Sequence, residues 1–165
     1  MIVVCYDGSA DSRAAIDRAA QLMPGSVATV LVVWERILDT MARNGSLSMG
    51  LGFAGAYRDD EALDAATEKA ALDRATEGAK RATAAGLAAR PRIVQRQGDI
   101  AEAILGVAAD LEAEVVVLGT RGLAGVKSLM LGSVSRAVLH HADRAVLVVP
   151  SAEVAARRRS LVATR

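Results

Sequence analysis

Five short apolar runs alternate with longer amphipathic stretches along this chain. The runs cover residues 2–6, 27–33, 92–97, 114–118 and 145–149. In Val115-Val116-Val117-Leu118 the apolar residues are consecutive rather than alternating. Such a strand must be covered on both faces, which predicts a parallel sheet between two helical layers. The intervening stretches supply the helices. Ser9 suits the cap of the first and Asp11 its first turn; Ile16, Ala19, Ala20 and Met23 share a face before Pro24-Gly25 ends it. A second helix is expected from about 59 to 85, closed by Gly86, with Ala71, Ala75, Ala79 and Ala82 as a smooth packing face. Asp99 caps a third, whose Ile100, Ile104, Ala108 and Leu111 face inward. A fourth opens at Ser133, with Val134, Ala137 and Val138 inward. The order βαβαβαβαβ predicts a Rossmann-like, doubly wound α/β fold: five parallel strands, helices on both faces and right-handed crossovers.

Two segments stand outside this alternation. Residues 34–58 carry Gly45, Gly50, Gly52 and Gly55 with Met41 and Met49. A loop of that length is expected to be either a lid or partner surface, or a flexible insert. Residues 151–165, with Arg157, Arg158 and Arg159, read as a solvated tail after a domain of residues 1–150; a partner or phosphate contact is the alternative.

Composition narrows the function classes. The length of 165 residues favours one domain with a real core. Aromatic residues make up only 2%, which weighs against a stacking platform for single-stranded nucleic acid. The net charge of +1 comes from mixed acids and bases and leaves no basic footprint for DNA or RNA. No apolar run approaches the roughly 20 residues that span a bilayer. Strand-like sequence begins at Ile2, so no leader is expected and a cytoplasmic setting follows. Cys5 is alone and reads as a small core residue rather than a reactive thiol. His140 and His141 are adjacent, a spacing that does not put two zinc ligands on one helix face.

The chemistry gathers at two strand ends. Ligands of open parallel sheets bind outside the carboxyl ends of the strands, where strand order reverses. The first strand ends in Tyr6-Asp7-Gly8-Ser9. The fourth ends in Leu118-Gly119-Thr120-Arg121-Gly122 and leads to Leu131-Gly132-Ser133-Val134-Ser135. Polyphosphates need backbone N–H groups with no side chain in the way, and they favour a helix N-terminus. Gly119, Gly122 and Gly132 meet the first condition, and Gly132-Ser133 meets the second. The hydroxyls of Ser133 and Ser135 are candidate donors, and Arg121 and Lys127 candidate cations. Taken alone, three glycines after a strand also fit plain turns. The loop is not a Walker A motif, because Val126 rather than glycine precedes Lys127-Ser128; nor does it have the spacing of the dinucleotide fingerprint.

The full spacing is Gly119, two residues, Gly122, nine residues, then Gly132-Ser133. It resembles the ATP-binding signature of the universal stress protein family. The resemblance extends to Val3-Val4-Cys5-Tyr6-Asp7-Gly8-Ser9, to Gly98-Asp99-Ile100-Ala101-Glu102-Ala103-Ile104, to the run 114–119 and to Ala145-Val146-Leu147-Val148-Val149-Pro150. Residues 34–58 are poorly matched, and nothing is carried over there. The resemblance implies a five-stranded sheet of the adenine nucleotide alpha hydrolase type and a homodimer through the last strand, 145–149. It implies that Asp7, at the head of the Asp7-Gly8-Ser9 turn, meets the ribose or a phosphate-bound metal through water. It implies that Val33 meets adenine through its backbone and that Leu118 and Gly119 border the adenosine. It further implies that Arg121, Gly122, Gly132, Ser133, Val134 and Ser135 line the ribose and phosphates. ATP, or ADP or AMP, is the expected ligand, with Mg²⁺ its usual companion. The leading expectation is a regulatory module whose nucleotide occupancy alters a dimer or an unidentified protein partner during stress. One alternative is an ATP-cleaving enzyme, since Asp7-Gly8-Ser9-Ala10-Asp11-Ser12 nearly matches the phosphate loop of ATP pyrophosphatases. The other is a dimerisation module without nucleotide.

Overall fold

The consecutive apolar runs form a five-stranded parallel sheet in the order β3-β2-β1-β4-β5. The computed structural model describes residues 1–36, 39–40, 60–122 and 131–163. Its strands are β1 (Ile2–Cys5), β2 (Val27–Trp34), β3 (Ala88–Gln95), β4 (Val115–Gly119) and β5 (Ala145–Val149). Its helices are α1 (Ala10–Leu22), α2 (Asp60–Ala84), α3 (Ile100–Asp110), α4 (Ser133–His141) and α5 (Ala152–Ala163). β1 is central, with Ile2 beside Ala28 of β2 on one side and Val115 of β4 on the other. Successive strand residues point to opposite faces, so the unbroken apolar runs feed two cores. Val4, Val30, Val32 and Val117 pack with α1 and α2 around Ile16, Ala75 and Ala79. Val3, Leu31, Val116 and Leu118 pack with α3 and α4 around Ile104, Val107 and Val138.

The helix starts follow their caps. Ser9 Oγ accepts the Ser12 N–H at 3.1 Å. Asp99 and Glu102 form a reciprocal capping box at the start of α3. The alanines expected to smooth α2 are buried, namely Ala71, Ala75, Ala79 and Ala82. They let the helix lie so close to the sheet that a Cβ on Gly78 would fall 2.7 Å from the Tyr6 ring and 2.9 Å from Val30 Cγ1.

Several boundaries differ from the sequence reading, among them β4, which runs Val115–Gly119 rather than 114–118, and β3, which ends at Gln95 rather than 97. β1 stops one residue earlier, at Cys5, and β2 runs one further, to Trp34. β3 begins at Ala88, four residues before the expected start, and runs through Pro91. Proline is excluded from central strands because it lacks an N–H, but β3 is an edge strand bonded only to β2. After β5 the chain continues as α5, most of whose described residues are exposed while its Val154 is buried. Most of the 34–58 insert, and Lys127 with the middle of the glycine loop, lie outside the described residues.

One buried carboxylate ties these elements together. Asp11, in the first turn of α1, accepts hydrogen bonds from Thr120 Oγ1 just after β4 and from the Ser151 N–H just before α5, the latter at 3.2 Å. Arg121 Nε lies 3.8 Å from the same carboxylate. The approach is close enough that Gly119 has no room for a side chain: a Cβ there would sit 2.8 Å from the Asp11 backbone carbonyl carbon. Burial opposes the Asp11 charge, but the Ser151 and Thr120 hydrogen bonds and the attraction of Arg121 outweigh it, holding the carboxyl below its ordinary 3.8.

A depressed carboxyl pKa contributes stability that is complete above the unfolded value and disappears as pH falls through the folded one. Asp11→Asn is therefore expected to cost about 1–3 kcal/mol at neutral pH. Urea unfolding across pH should show the gap from the native protein closing only below pH 3.8; a constant gap would contradict this account of the charge. In the same assay Gly78→Ala should be a net loss. Overpacking costs about 1–3 kcal/mol, against about 1 kcal/mol regained from helix propensity.

Candidate functional site

Going along the sheet, strand order reverses between β1 and β4, and a cleft of about 590 Å³ opens over their carboxyl ends. That is the position the doubly wound topology favours for a ligand, and the volume lies within the range of small-molecule pockets. Asp7, Val33, Leu118, Gly119, Arg121, Gly122, Gly132, Ser133, Val134 and Ser135 all border it. Residues more than a hundred positions apart in sequence are thus brought into one cavity. Gly8 and Ser9 do not border it. They build the turn beneath: Gly8 takes a positive φ of 82°, the Ser9 N–H donates to Asp7 Oδ1 at 2.9 Å, and the Ser9 hydroxyl caps α1.

The walls differ in chemistry. Leu31, Val33, Ile100, Ile104 and Leu118 are apolar. The start of α4 also borders the cleft. Gly132 occupies its cap position and no side chain caps the helix, so the first-turn N–H groups and the positive end of the helix dipole face the cleft. Ser133 is exposed there. Gly122 and Asp7 meet across the crevice, since a Cβ on Gly122 would fall 2.7 Å from Asp7 Oδ2. Asp7 is the one carboxylate among the described lining residues.

Two expected donors have other work. Ser135 Oγ donates to the Gly119 carbonyl at 2.8 Å and reaches that of Thr120 at 3.3 Å. The Gly132 N–H donates to the Thr120 carbonyl at 2.8 Å. Both therefore fasten α4 to the end of β4 and hold the site's shape. Arg121 borders the cleft with its charge matched by Asp11.

The sequence reading missed several lining groups. Cys5, Tyr6 and Arg74 also border the cavity. Burial, helped by the Asp7 charge, pushes the Cys5 thiol up to about 12, which keeps it protonated and unreactive at neutral pH. Burial and then the Glu77 hydrogen bond raise the Tyr6 phenol, whose hydroxyl donates to Glu77 Oε2 at 2.6 Å. Arg74 comes from α2, one turn before Gly78; the available signal was that it shares the face by which the helix meets the sheet. Ile100 and Ile104, read only as core, serve as core and as cavity wall. Among the described residues no three His, Cys, Asp or Glu side chains gather as a metal site, and no helix is long and apolar enough to cross a membrane.

Comparison with known proteins gives this geometry a family. Residues 1–150 match the universal stress protein family. The universal stress protein from the QAH/OAS sulfhydrylase 3′ region of Thermus aquaticus is 36% identical over 152 residues, covering 90% of this chain and 96% of that protein. The solved structure of hypothetical protein MJ0577 has a TM-score of 0.69 at 19% identity, over 90% of this chain and 94% of that one. A universal stress protein solved in complex with cAMP gives 0.58 at 24% identity, over 92% and 96% of the two chains. One from Archaeoglobus fulgidus in complex with dAMP gives 0.53 at 21%, over 90% and 95%. At these identities the solved structures establish the adenine nucleotide alpha hydrolase-like fold. The family match along nearly the whole domain, and the Thermus likeness beyond it, settle the assignment: this chain belongs to the universal stress protein family.

Proposed function

We propose that this chain is a regulatory module that holds ATP in the cleft between β1 and β4, and that occupancy changes its association with a second copy or a partner. The observation that carries the reading is the cleft's division into an apolar wall and an uncapped helix start. Adenine suits the apolar wall, against the Val33 backbone and Ile100. Ribose hydroxyls suit Asp7. Phosphates suit Gly122 and the N–H groups of Ser133 and Val134 at the positive end of α4. The two relatives solved with cAMP and dAMP support an adenine nucleotide as the ligand class.

The donor set also bears on Mg²⁺. This ion keeps several waters and is usually held by one or two carboxylates together with substrate phosphates. A single lining carboxylate, Asp7, fits an ion brought in on the nucleotide rather than one caged by protein. When bound, the ion would neutralise phosphate charge, and Asp7 would orient it through water.

The polar groups of the first turn favour holding over cleavage. In the segment that resembles a pyrophosphatase loop, Ser9 caps α1, Ser12 Oγ donates to the Ser9 carbonyl at 3.0 Å, and Asp11 anchors Thr120 and Ser151. All three are engaged with the chain itself. Association through the last strand is supported by the position of β5 at a sheet edge, where Val146, Leu147 and Val148 are only partly buried. An apolar edge strand invites pairing with another chain.

Calorimetric titration should show ATP binding to the native protein. Ser133→Glu should weaken it about tenfold or more by placing a like charge against phosphate, while the fold survives because an acid suits a helix's first turn. No binding by the native protein would sink the nucleotide reading. For association, sedimentation of the native chain should give twice the monomer mass and Val146→Lys the monomer mass. A native chain that stays monomeric at all concentrations would remove the β5 interface.

A further inference from the structure

We propose that Arg74 is the residue with which this chain tells a nucleoside triphosphate from a monophosphate. The assignment rests on the nucleotide reading above and adds to it a determinant of phosphate number. Three described side chains bordering the cleft carry charge: Asp7, Arg121 and Arg74. Arg121 lies 3.8 Å from the Asp11 carboxylate, so its charge is already matched inside the fold. Asp7 is itself anionic and repels phosphate. The helix start at α4 supplies roughly half a positive charge, enough to orient one phosphate group but not to offset a chain of three. Arg74 makes no ion pair among the described residues.

Its placement suits the terminal phosphates. α4 packs on one face of the sheet and α2 on the other, so the Ser133 N–H and the Arg74 guanidinium flank the crevice between β1 and β4. The Arg74 stem crosses the β1–α1 turn, with Cδ 3.8 Å and Nε 3.9 Å from where a Cβ on Gly8 would stand. The close seating of α2, through Ala71, Ala75 and Gly78, is what brings a side chain from that helix to the mouth of the cleft. A nucleotide whose first phosphate rests on α4 would extend its further phosphates toward this planar fork of donors, whose geometry matches phosphate oxygens.

The test is calorimetric titration of ATP and AMP into the native protein, Arg74→Lys and Arg74→Ala at constant ionic strength and magnesium concentration. Arg74→Ala should lower ATP affinity about tenfold, the loss expected for one charge-assisted contact, and AMP affinity less than about twofold. Arg74→Lys should fall between, because it keeps the charge and loses the fork. Arg74 is exposed and mid-helix, where alanine is well tolerated; Arg74→Gln carries the same comparison should Arg74→Ala unfold. Equal losses for ATP and AMP, or an unchanged ATP affinity, would overturn the assignment while leaving the nucleotide reading intact. A native protein that binds neither nucleotide would overturn both.

Discussion

The contact between the first turn of α1 and the end of β4 is the constraint on which the rest depends. Asp11 reaches Thr120 and Ser151 only because Gly119 leaves no side chain between the two segments. That single approach fixes the height of α1 against the sheet and the exit of the chain from β4. It also fixes the path from β5 into α5. The cleft is what remains above it. With any bulk at position 119, the crevice between β1 and β4 would have to widen and its two lips would no longer meet at Asp7 and Gly122.

Around that contact, the polar groups of the two loops divide by task. Ser9, Asp11, Ser12, Thr120 and Ser135 bond within the protein and hold geometry. Buried polar groups must be satisfied, and these satisfy one another. What faces the cavity is mostly backbone and apolar surface, with an exposed serine at the start of an uncapped helix. A glycine cap in place of a capping side chain gives up only about a few tenths of a kcal/mol of local stability. The helix keeps its donors available for an anion in exchange, which is the arrangement expected of a pre-formed phosphate cradle.

Much of this was legible in the sequence, for local reasons. Consecutive apolar residues in 115–118 announce a strand buried on both faces, and Ser9 and Asp99 announce helix starts through their caps. The glycine spacing from 119 to 132 carried most of the site, since steric need for glycine survives into any reading of the chain. What escaped was non-local. Pro91 hid the first half of β3 because edge position belongs to the sheet, not to the segment. Asp11 looked like a favourable first-turn acid, and its bonds to residues 109 and 140 positions away have no sequence signature. Ser135 read only as a ligand donor, and its hydrogen bond to the Gly119 carbonyl has no sequence signature either.

α2 illustrates how a packing feature becomes a functional one. Its alanines read as nothing more than a smooth face, and with Gly78 they seat the helix close against the sheet. Yet a helix seated that closely presents its neighbouring long side chains at the sheet's carboxyl edge. Tyr6 and Glu77 are drawn into a 2.6 Å hydrogen bond beside the cavity, and Arg74 is drawn over Gly8. Larger residues on that face would move α2 outward, and a guanidinium has only its own stem length to recover the distance. The small-residue stripe therefore sets how near a cation from one face of the sheet can come to a helix start on the other. In this fold, then, the charge at the cleft is tuned by interhelical and helix–sheet distance as much as by the loops that border it.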